Sequence, residues 1–409
     1  MSTGHNKQRF FVSFILLSLL SGLTIGMNKI LITLLGLSLD AESWQLGLIS
    51  GAESLAMAAV TLPAGLLIGR YSPRLGYLAA SLLLTLLYLT LAQVQHWLQL
   101  AFLMILCGIC IAFRIVAMSS SFLQRLPEIG THRAGWYKGT LSLGTMALGP
   151  LAGHSLSHAF SLDGALGTSA GLFAAMALLG WFTLPDSPRR SAPDPSRSHW
   201  LAALWSNRSV REACLFEGLG GSLFAFYSTF MLVIAIKELH WSQSEGVALL
   251  ITSGAAYVSV LLGLGQPLRR LGEARAYRLS HSLLFGGALL LACSAWQPLL
   301  FLGALALGTG IGGNHLVNVT RVALSPVNKS HVSGLMTLCQ MAGSSTGAIV
   351  GGWLGAWLGL QPVFLVLALP WLIRVLATLL AAPATPAILN HLESDNERIE
   401  SSSPEPDAR

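Results

Sequence analysis

Long apolar runs separated by short polar loops constrain the fold of this chain more than any other feature of its 409-residue sequence. Each run is long enough for an α-helix to cross a bilayer, which needs about 20 residues. Twelve runs can be distinguished, near residues 10–35, 44–68, 76–95, 98–122, 139–160, 164–185, 212–236, 245–267, 276–296, 298–319, 332–358 and 361–382. Charged residues make up only 10% of the chain, compared with about 25% in soluble proteins. These features predict an all-α membrane protein with twelve transmembrane helices, and they exclude an ordinary soluble enzyme, a nucleic-acid binder and a disordered protein.

The basic residues are distributed unevenly between the two sides of the predicted membrane. Of the 24 lysines and arginines, Lys29, Arg114 and Arg374 lie inside apolar runs, and Lys237 lies alone among the outer loops. The remaining twenty lie in the N-terminal segment, in alternate loops and in the C-terminal tail, which are all on one side. Because positively charged loops stay in the cytoplasm, we expect a multi-pass protein of the cytoplasmic (inner) membrane with both termini cytoplasmic.

The predicted helices divide into two groups of six around a linker rich in Pro, Ser and Arg. This division predicts an N-terminal six-helix bundle at 1–184, a cytoplasmic linker at 185–211, a C-terminal six-helix bundle at 212–385 and a disordered acidic tail at 386–409. Short motifs recur between the groups in the same order, with 65–70 repeated at 265–270, 108–114 at 308–314 and 139–147 at 334–342. Such repeats are typical of transporters, in which two similar bundles move about a central site.

The loop between the second and third apolar runs carries a motif of the major facilitator superfamily. Its sequence, GLLIGRYSPR, resembles the family pattern G-x-x-x-D-R-x-G-R-R. Gly65, Arg70 and Arg74 match the pattern, whereas Gly69 replaces the aspartate and Ser72 replaces the second glycine. The resemblance, which covers nearly the whole chain, implies two pseudo-symmetric six-helix bundles that carry a small solute by alternating access. It also implies a cytoplasmic gate formed by the motif and its second copy, at Gly65, Arg70, Arg74, Gly265 and Arg270. An ion pair of that gate is expected to be weaker or supplied elsewhere, because the aspartate is missing.

The fifth apolar run contains the segment GPLAGH, with Gly149, Pro150, Gly153 and His154. It resembles the G-P-x-x-G-G segment of the family's proton-driven exporters, with His154 in place of the last glycine. Proline bends a helix and glycine removes bulk, so we expect helices of opposite halves to close tightly here. The resemblance favours export; an ordinary bend in a membrane helix is the competing interpretation.

The eleventh run contains glycines at a strict spacing of four, namely Gly343, Gly347, Gly351, Gly355 and Gly359. This spacing forms a smooth stripe on one helix face, which another helix backbone can approach closely. We expect a packing role, and a surface along which helices can slide.

Charged residues inside the apolar runs are the main candidates for function, because each costs about 2.5–3.5 kcal/mol at the centre of a membrane helix. We expect Glu53 of the second run to be the proton-coupling carboxylate and Arg114 of the fourth run to be its electrostatic partner. Glu217 of the seventh run is the second candidate. The alternative is a structural ion pair. Lys29 either reaches Glu53 or extends to the membrane surface.

Polar and aromatic residues of several runs are candidates for the substrate cavity. We predict a lining formed by Asn28, Lys29, Phe224, Tyr227, Asn314 and Asn318. Asn314 and Asn318 share a helix face by their spacing of four. The alternative for the two asparagines is hydrogen bonding between core helices.

Two motifs that suggest other chemistry fail on their context. The G-x-S-x-G segment around Ser169 needs a strand-to-helix turn to act as a nucleophile elbow, and it lies in an apolar run instead. His154 and His158 lack an acidic third ligand for a metal.

These features predict a proton-coupled secondary transporter of a small organic solute, in contact with protons and lipid and expected to be monomeric. The absence of a Walker motif excludes direct coupling to ATP, and we expect no cofactor, no metal and no bound nucleic acid. Export of a drug or metabolite is the favoured activity. Uptake of a siderophore-like or other polar metabolite is the first alternative, and a membrane enzyme or a non-transporting sensor is the second.

Overall fold

The structure is a computed structural model that describes residues 2–129, 134–186, 205–324 and 329–380. The predictions for most of the linker (187–204) and for the tail (386–409) therefore lie outside the described residues.

The described residues form twelve long helices and no strand. Their bounds are α1 Ser2–Ser38, α2 Ser43–Arg70, α3 Pro73–Leu91, α4 Trp97–Ile129, α5 Ala134–Leu143 continued by Gly144–Leu148 and Gly149–Ala159, α6 Leu162–Thr183, α7 Arg208–Val233 continued by Ile234–Glu238, α8 Gln243–Gly263, α9 Glu273–Cys293, α10 Gln297–Leu324, α11 Lys329–Leu358 and α12 Leu360–Leu380. A short helix, Gly265–Leu271, joins α8 to α9. The predicted all-α fold with twelve helices is confirmed.

Ten of these helices are long and apolar enough to cross a membrane; α5 and α11 are not among them. α5 is interrupted by a π-helical turn, Gly144–Leu148, directly before Pro150. Proline has no N–H group to donate to the carbonyl one helical turn earlier, so a wide turn at this point follows from the sequence. α11 carries many glycine, serine and threonine residues, which its packing requires.

Polar side chains define where several helices begin. At the start of α8, Ser242 accepts a hydrogen bond from the backbone N–H of Glu245, whose side chain accepts one from the backbone N–H of Ser242. Asn207 caps α7 in a similar way, because its side-chain oxygen accepts hydrogen bonds from the backbone N–H groups of Ser209 and Val210. These caps satisfy backbone donors that the first helical turn leaves without partners.

Because consecutive helices run in opposite directions, the helix ends lie on two faces. We call the face where α1 begins the N-terminal face; it holds the loops after α2, α4, α6, α8 and α10. We call the opposite face, where α1 ends near Ser38 and α2 begins near Ser43, the distal face.

The buried apolar side chains form two main clusters. One belongs to α1–α6 and includes Phe14, Tyr77 and Phe173. The other belongs mostly to α7–α12 and includes Phe226 and Trp371. Each half of six helices therefore has a core of its own, as two bundles that move relative to one another require.

The internal repeat is visible in the packing of the two halves. Gly108 of α4 lies against the backbone of Glu53 in α2, and Gly308 of α10 lies against the backbone of Ser253 in α8. Both residues of the second contact are numbered 200 higher than those of the first. The same close helix contact is thus made at equivalent positions in both halves, which agrees with the predicted duplication.

Candidate functional site

The two halves are joined by side-chain hydrogen bonds in the distal part of the molecule. Lys29 Nζ of α1 donates to Ser228 Oγ of α7 over 3.1 Å, and the hydroxyl groups of Ser50 in α2 and Thr229 in α7 are 2.8 Å apart. Ser345 Oγ of α11 donates to the carbonyl of Gly51 in α2 over 2.9 Å.

A further group of contacts lies at the distal ends of α5 and α8. Gln243 Nε2 donates to Ser157 Oγ over 2.9 Å, and His154 is 3.3 Å from both Gln243 and Ser244. His154, which replaces the last glycine of the predicted export segment, therefore connects the two halves at the distal face. Together these contacts close the distal side of the interface.

The N-terminal face is held differently. Arg74 Nε donates to the carbonyl of Leu184 over 3.0 Å, and its guanidinium lies 3.6 Å from the carboxylate of Asp186, so it ties the start of α3 to the end of α6. Among the described residues, every ion pair on this face lies within one half. Asp186 supplies a carboxylate to a motif that lacks its own aspartate.

The other predicted gate residues lie at the same face without joining the halves. Gly65 lies near Val116 of the same half, and Arg70 is exposed, with its guanidinium 5.9 Å from the ring of Tyr71. Gly265 begins the short helix after α8, and Arg270 is exposed near the end of that helix.

A cavity lies among α1, α2, α3, α4, α6 and α7, and we call it the central cavity; its empty space, including the part open to solvent, is about 600 Å³. Its wall contains Lys29 of α1 and Glu53 of α2, both of which were predicted as functional residues. The other polar residues of the wall include Asn28, Thr33, Ser50 and Thr229, and its aromatic residues are Tyr88 and Phe173.

The two charges of the central cavity interact electrostatically, but the ion pairs of the described residues do not include them. The ammonium group of Lys29 points across the interface, where it donates to Ser228 and lies 5.6 Å from the centre of the Phe224 ring. Of the two expected positions of Lys29, the structure thus has the one near Glu53. The Glu53 carboxylate forms no hydrogen bond to another described residue. This carboxylate is half-buried, and none of the described residues uses its hydrogen-bonding capacity.

Arg114 is not placed as the partner of Glu53. It is 3% exposed, and its guanidinium lies between the rings of Tyr77 and Phe173, at 5.0 and 4.9 Å. It donates to the Tyr77 hydroxyl over 2.9 Å and to Ser21 Oγ over 3.2 Å, whereas its Nε atom has no hydrogen-bond partner among the described residues. Arg114 thus forms no ion pair with Glu53 among the described residues. It follows Gly108, which contacts the backbone of Glu53, by nearly two helical turns toward the N-terminal face.

Glu217 lies in a separate polar cluster of the second half. Its carboxylate accepts hydrogen bonds from Asn318 Nδ2 over 2.9 Å and is 3.0 Å from Nδ1 of His315. Lys138 of α5 adds positive charge near it from the first half. Unlike Glu53, Glu217 thus has its partners within the protein.

The predicted cavity residues of the second half separate into two groups. Asn314 donates to the carbonyl of Phe216, and Asn318 accepts from the hydroxyl of Tyr277 over 2.7 Å, so both bond to other core helices. Phe224 and Tyr227 instead line a second space of about 410 Å³. Lys29 lines both this space and the central cavity.

The predicted glycine surfaces pack within one half rather than between halves. Gly149 and Gly153 lie against α1 at Gly26 and Met27. The stripe of α11 lies against α7, where Gly343 meets Gly218, Gly347 meets Ser222 and Gly351 meets the ring of Phe226, while Gly355 meets Leu360. The stripe therefore has the expected packing role, and it packs within the second half. The close contacts between halves involve other positions, such as Gly47 with Gly352 and Gly254 with Met146.

Several residues of the site were not singled out from the sequence. Ser50, Thr229 and Ser228 form the contacts between the halves, and Asp186 completes the Arg74 ion pair. Serine and threonine are common in membrane helices, so the sequence carries no signal that distinguishes the first three. The contact of His315 with Glu217 likewise joins two segments that are far apart in the chain.

The G-x-S-x-G segment around Ser169 and the pair His154 and His158 suggested other chemistry in the sequence, and both belong to the helical packing. Ser169 Oγ donates to Asn28 Oδ1 over 2.7 Å and lies buried inside α6. Within the described residues, no group of three His, Cys, Asp or Glu side chains is placed to hold a metal ion.

Two bundles of membrane helices with a charged cavity between them define a membrane transport protein rather than an enzyme. Residues 14–324 match the family model of the Major Facilitator Superfamily. The match covers more than half of the chain, and the protein belongs to this superfamily, as the loop motif implied. No curated protein matches the sequence.

Solved structures of other transporters share the fold. The nucleoside transporter NupG is 15% identical, with a TM-score of 0.74 and coverage of 90% of this chain and 98% of that one. The human organic anion transporter MFSD10 (TETRAN) is 19% identical, with a TM-score of 0.66 and coverage of 90% and 99%. A bacterial homologue of the human lysosomal transporter Spinster, in an inward-facing and occupied conformation, is 12% identical, with a TM-score of 0.72 and coverage of 90% and 95%. At these identities the similarity establishes the fold.

Proposed function

We propose that the protein is a proton-coupled exporter of a small organic solute, located in the cytoplasmic membrane with its N-terminal face in the cytoplasm. The observation that carries this proposal is the Glu53 carboxylate, which faces the central cavity without a hydrogen-bond partner among the described residues.

Alternating access requires one closed and one open side at a time. The hydrogen bonds between Ser50 and Thr229, Lys29 and Ser228, and His154 and Gln243 close the distal side. The described ion pairs of the N-terminal face each lie within one half. We therefore assign this conformation to the step in which solute enters from the cytoplasm. Arg70 and Arg270 are free to join the halves in the opposite conformation, as the gate motif implies.

Glu53 is suited to carry the coupling proton. Its charged neighbour in the cavity is Lys29, and Tyr88 and Cys107 are the other titratable groups that interact with it. A buried carboxylate must bind either a proton or a cationic partner, because an isolated charge is costly in a low-dielectric site. A proton and a cationic group of the solute therefore compete for Glu53. Such competition exchanges inward-moving protons for outward-moving solute, which is export.

Arg114 and Glu217 have supporting roles in this scheme. Arg114 holds a positive charge in the first half through Ser21 and Tyr77, without touching Glu53. Glu217, bonded to His315 and Asn318, is a second titratable site that becomes the coupling candidate when Glu53 is excluded by experiment.

Proteoliposomes test the proposal directly. Purified protein is reconstituted with a pH-sensitive dye inside, and cationic, anionic and zwitterionic solutes are added while proton movement is recorded. We expect at least one solute to move protons in the opposite direction to itself. Glu53→Gln preserves the shape and removes the titrating group, so it should abolish this signal. Glu217→Gln is the matched control, and it should retain most of the activity.

Two results contradict the proposal. If the Glu53→Gln protein moves protons as fast as the parental protein does, another residue couples proton movement to transport. Movement of solute and proton in the same direction assigns the protein to uptake, the alternative activity for a siderophore-like or other polar metabolite.

A further inference from the structure

We propose that the solute of the central cavity is a zwitterion, a small organic molecule that carries a cationic nitrogen and a carboxylate. The inference names the substrate class of the proposed transport function and rests on that function. It is drawn from the arrangement of charges in the wall of the cavity.

The central cavity holds one acidic and one basic side chain, each from a different helix. Glu53 projects from α2 and Lys29 from α1. The two charges are not joined as an ion pair, and Lys29 is bonded only to the neutral hydroxyl group of Ser228. Each charged group therefore retains the capacity to bind an opposite charge of a ligand.

The balance of charge selects among ligand classes. A cationic ligand would neutralise Glu53 and leave the ammonium group of Lys29 without an opposite charge. An anionic ligand would neutralise Lys29 and leave the carboxylate of Glu53 without one. A neutral ligand would bind neither group. An unpaired charge that is shielded from water is unfavourable, so the ligand that satisfies both groups is favoured over one that satisfies a single group. That ligand has both charges.

The rest of the wall accommodates the remainder of such a molecule. The hydroxyl groups of Thr33, Ser50 and Thr229 are available for polar substituents, and Tyr88 and Phe173 provide aromatic surface. An amino acid or a short peptide illustrates the chemistry that fits.

Binding measurements test this assignment without any gradient. Four matched sets of probes are made from the same amino acids and dipeptides: with both ends free, with the carboxyl end amidated, with the amino end acetylated, and with both ends capped. The readouts are the thermal stabilisation of purified full-length protein and the concentration at which it is half-maximal. We expect the zwitterionic set to bind about 10- to 100-fold more tightly than the cationic, anionic and neutral sets, since each lost partner removes one charge-assisted hydrogen bond.

Single substitutions should change the preference in opposite directions. Lys29→Gln removes the anion-binding group, so amidated probes should bind as tightly as the zwitterions. Glu53→Gln removes the cation-binding group, and acetylated probes should gain in the same way. Lys237→Gln, which removes an exposed lysine of the distal face, is the control and should keep the parental order.

The proposal is overturned when a singly charged or neutral set binds the parental protein at least as tightly as the zwitterionic set. It is also overturned when none of the four sets stabilises the protein at millimolar concentration, or when neither cavity variant changes the order. Failure of proton coupling is a separate result. Selective zwitterion binding without proton movement in proteoliposomes refutes the transport mechanism and leaves the substrate class intact.

Discussion

At the scale of single residues, the charged groups inside the membrane differ in how their desolvation is compensated. Arg114 lies between two aromatic rings and bonds to two hydroxyl groups. Glu217 is bonded to an imidazole and an amide. Glu53 has no such partner among the described residues and faces a cavity. Because intramembrane charges are costly, a carboxylate in this position is one that a ligand or a proton must satisfy.

Glycine positions allow a prediction at the same scale. A methyl group at Gly308 would meet the backbone of Ser253, whereas one at Gly286 would meet no atom within 4 Å. We expect Gly308→Ala to destabilise the protein by about 1–3 kcal/mol, because the backbone cannot move aside cheaply. Gly286→Ala is the control and should be neutral. Thermal unfolding in detergent measures both, and equal melting temperatures would show that α8 and α10 are not in close contact.

At the scale of helices, the contacts between halves are made by pairs of small polar groups. α2 meets α7 through Ser50 and Thr229, and it meets α11 through Gly51 and Ser345. These contacts are weak individually, with net values of about 0.6 kcal/mol typical for hydrogen bonds between membrane helices. Their weakness suits an interface that must open and close during each transport cycle.

A disulfide across this contact should stop the cycle. Ser50→Cys combined with Thr229→Cys places two thiols where hydroxyl groups now lie 2.8 Å apart. We expect oxidation to lock the distal side, to reduce transport by more than about tenfold, and to be reversed by a reductant. Ser50→Cys alone controls for the substitution and for the five native cysteines. Full transport by the cross-linked protein would mean that the distal side does not need to open.

At the scale of the whole molecule, two similar bundles carry different chemistry. The repeated contacts of Gly108 and Gly308 show the shared architecture. The acidic residue at position 53 has Ser253 as its counterpart, and Arg114 has Asn314. The first half therefore contributes both charges of the central cavity, while the second half closes it through Ser228 and Thr229. We attribute solute and proton binding mainly to the first half.

The orientation of the molecule is testable independently of its activity. The excess of basic residues on the N-terminal face predicts that this face is cytoplasmic. Reporter fusions after Arg197 and at the C-terminus should both give cytoplasmic signals, and a fusion after Lys237 should give a periplasmic one. A periplasmic signal from either of the first two fusions would refute the proposed topology.

The sequence by itself determined the number of the helices and their division into two groups. These properties depend on the length and composition of each apolar run, and both can be measured from the hydropathy of the sequence. It also identified Glu53, Lys29 and Asn28, whose polar groups are conspicuous in apolar runs.

Only the tertiary structure decided which faces of the helices meet. The rotation of each helix about its axis brings Glu53 to Lys29 rather than to Arg114, and it turns the α11 glycine stripe toward α7 rather than toward the other half. Lipid is as apolar as the helix surfaces, so hydrophobicity does not specify these rotations. Close packing and hydrogen bonds between segments far apart in the chain set them, and neither can be read from a single run of residues.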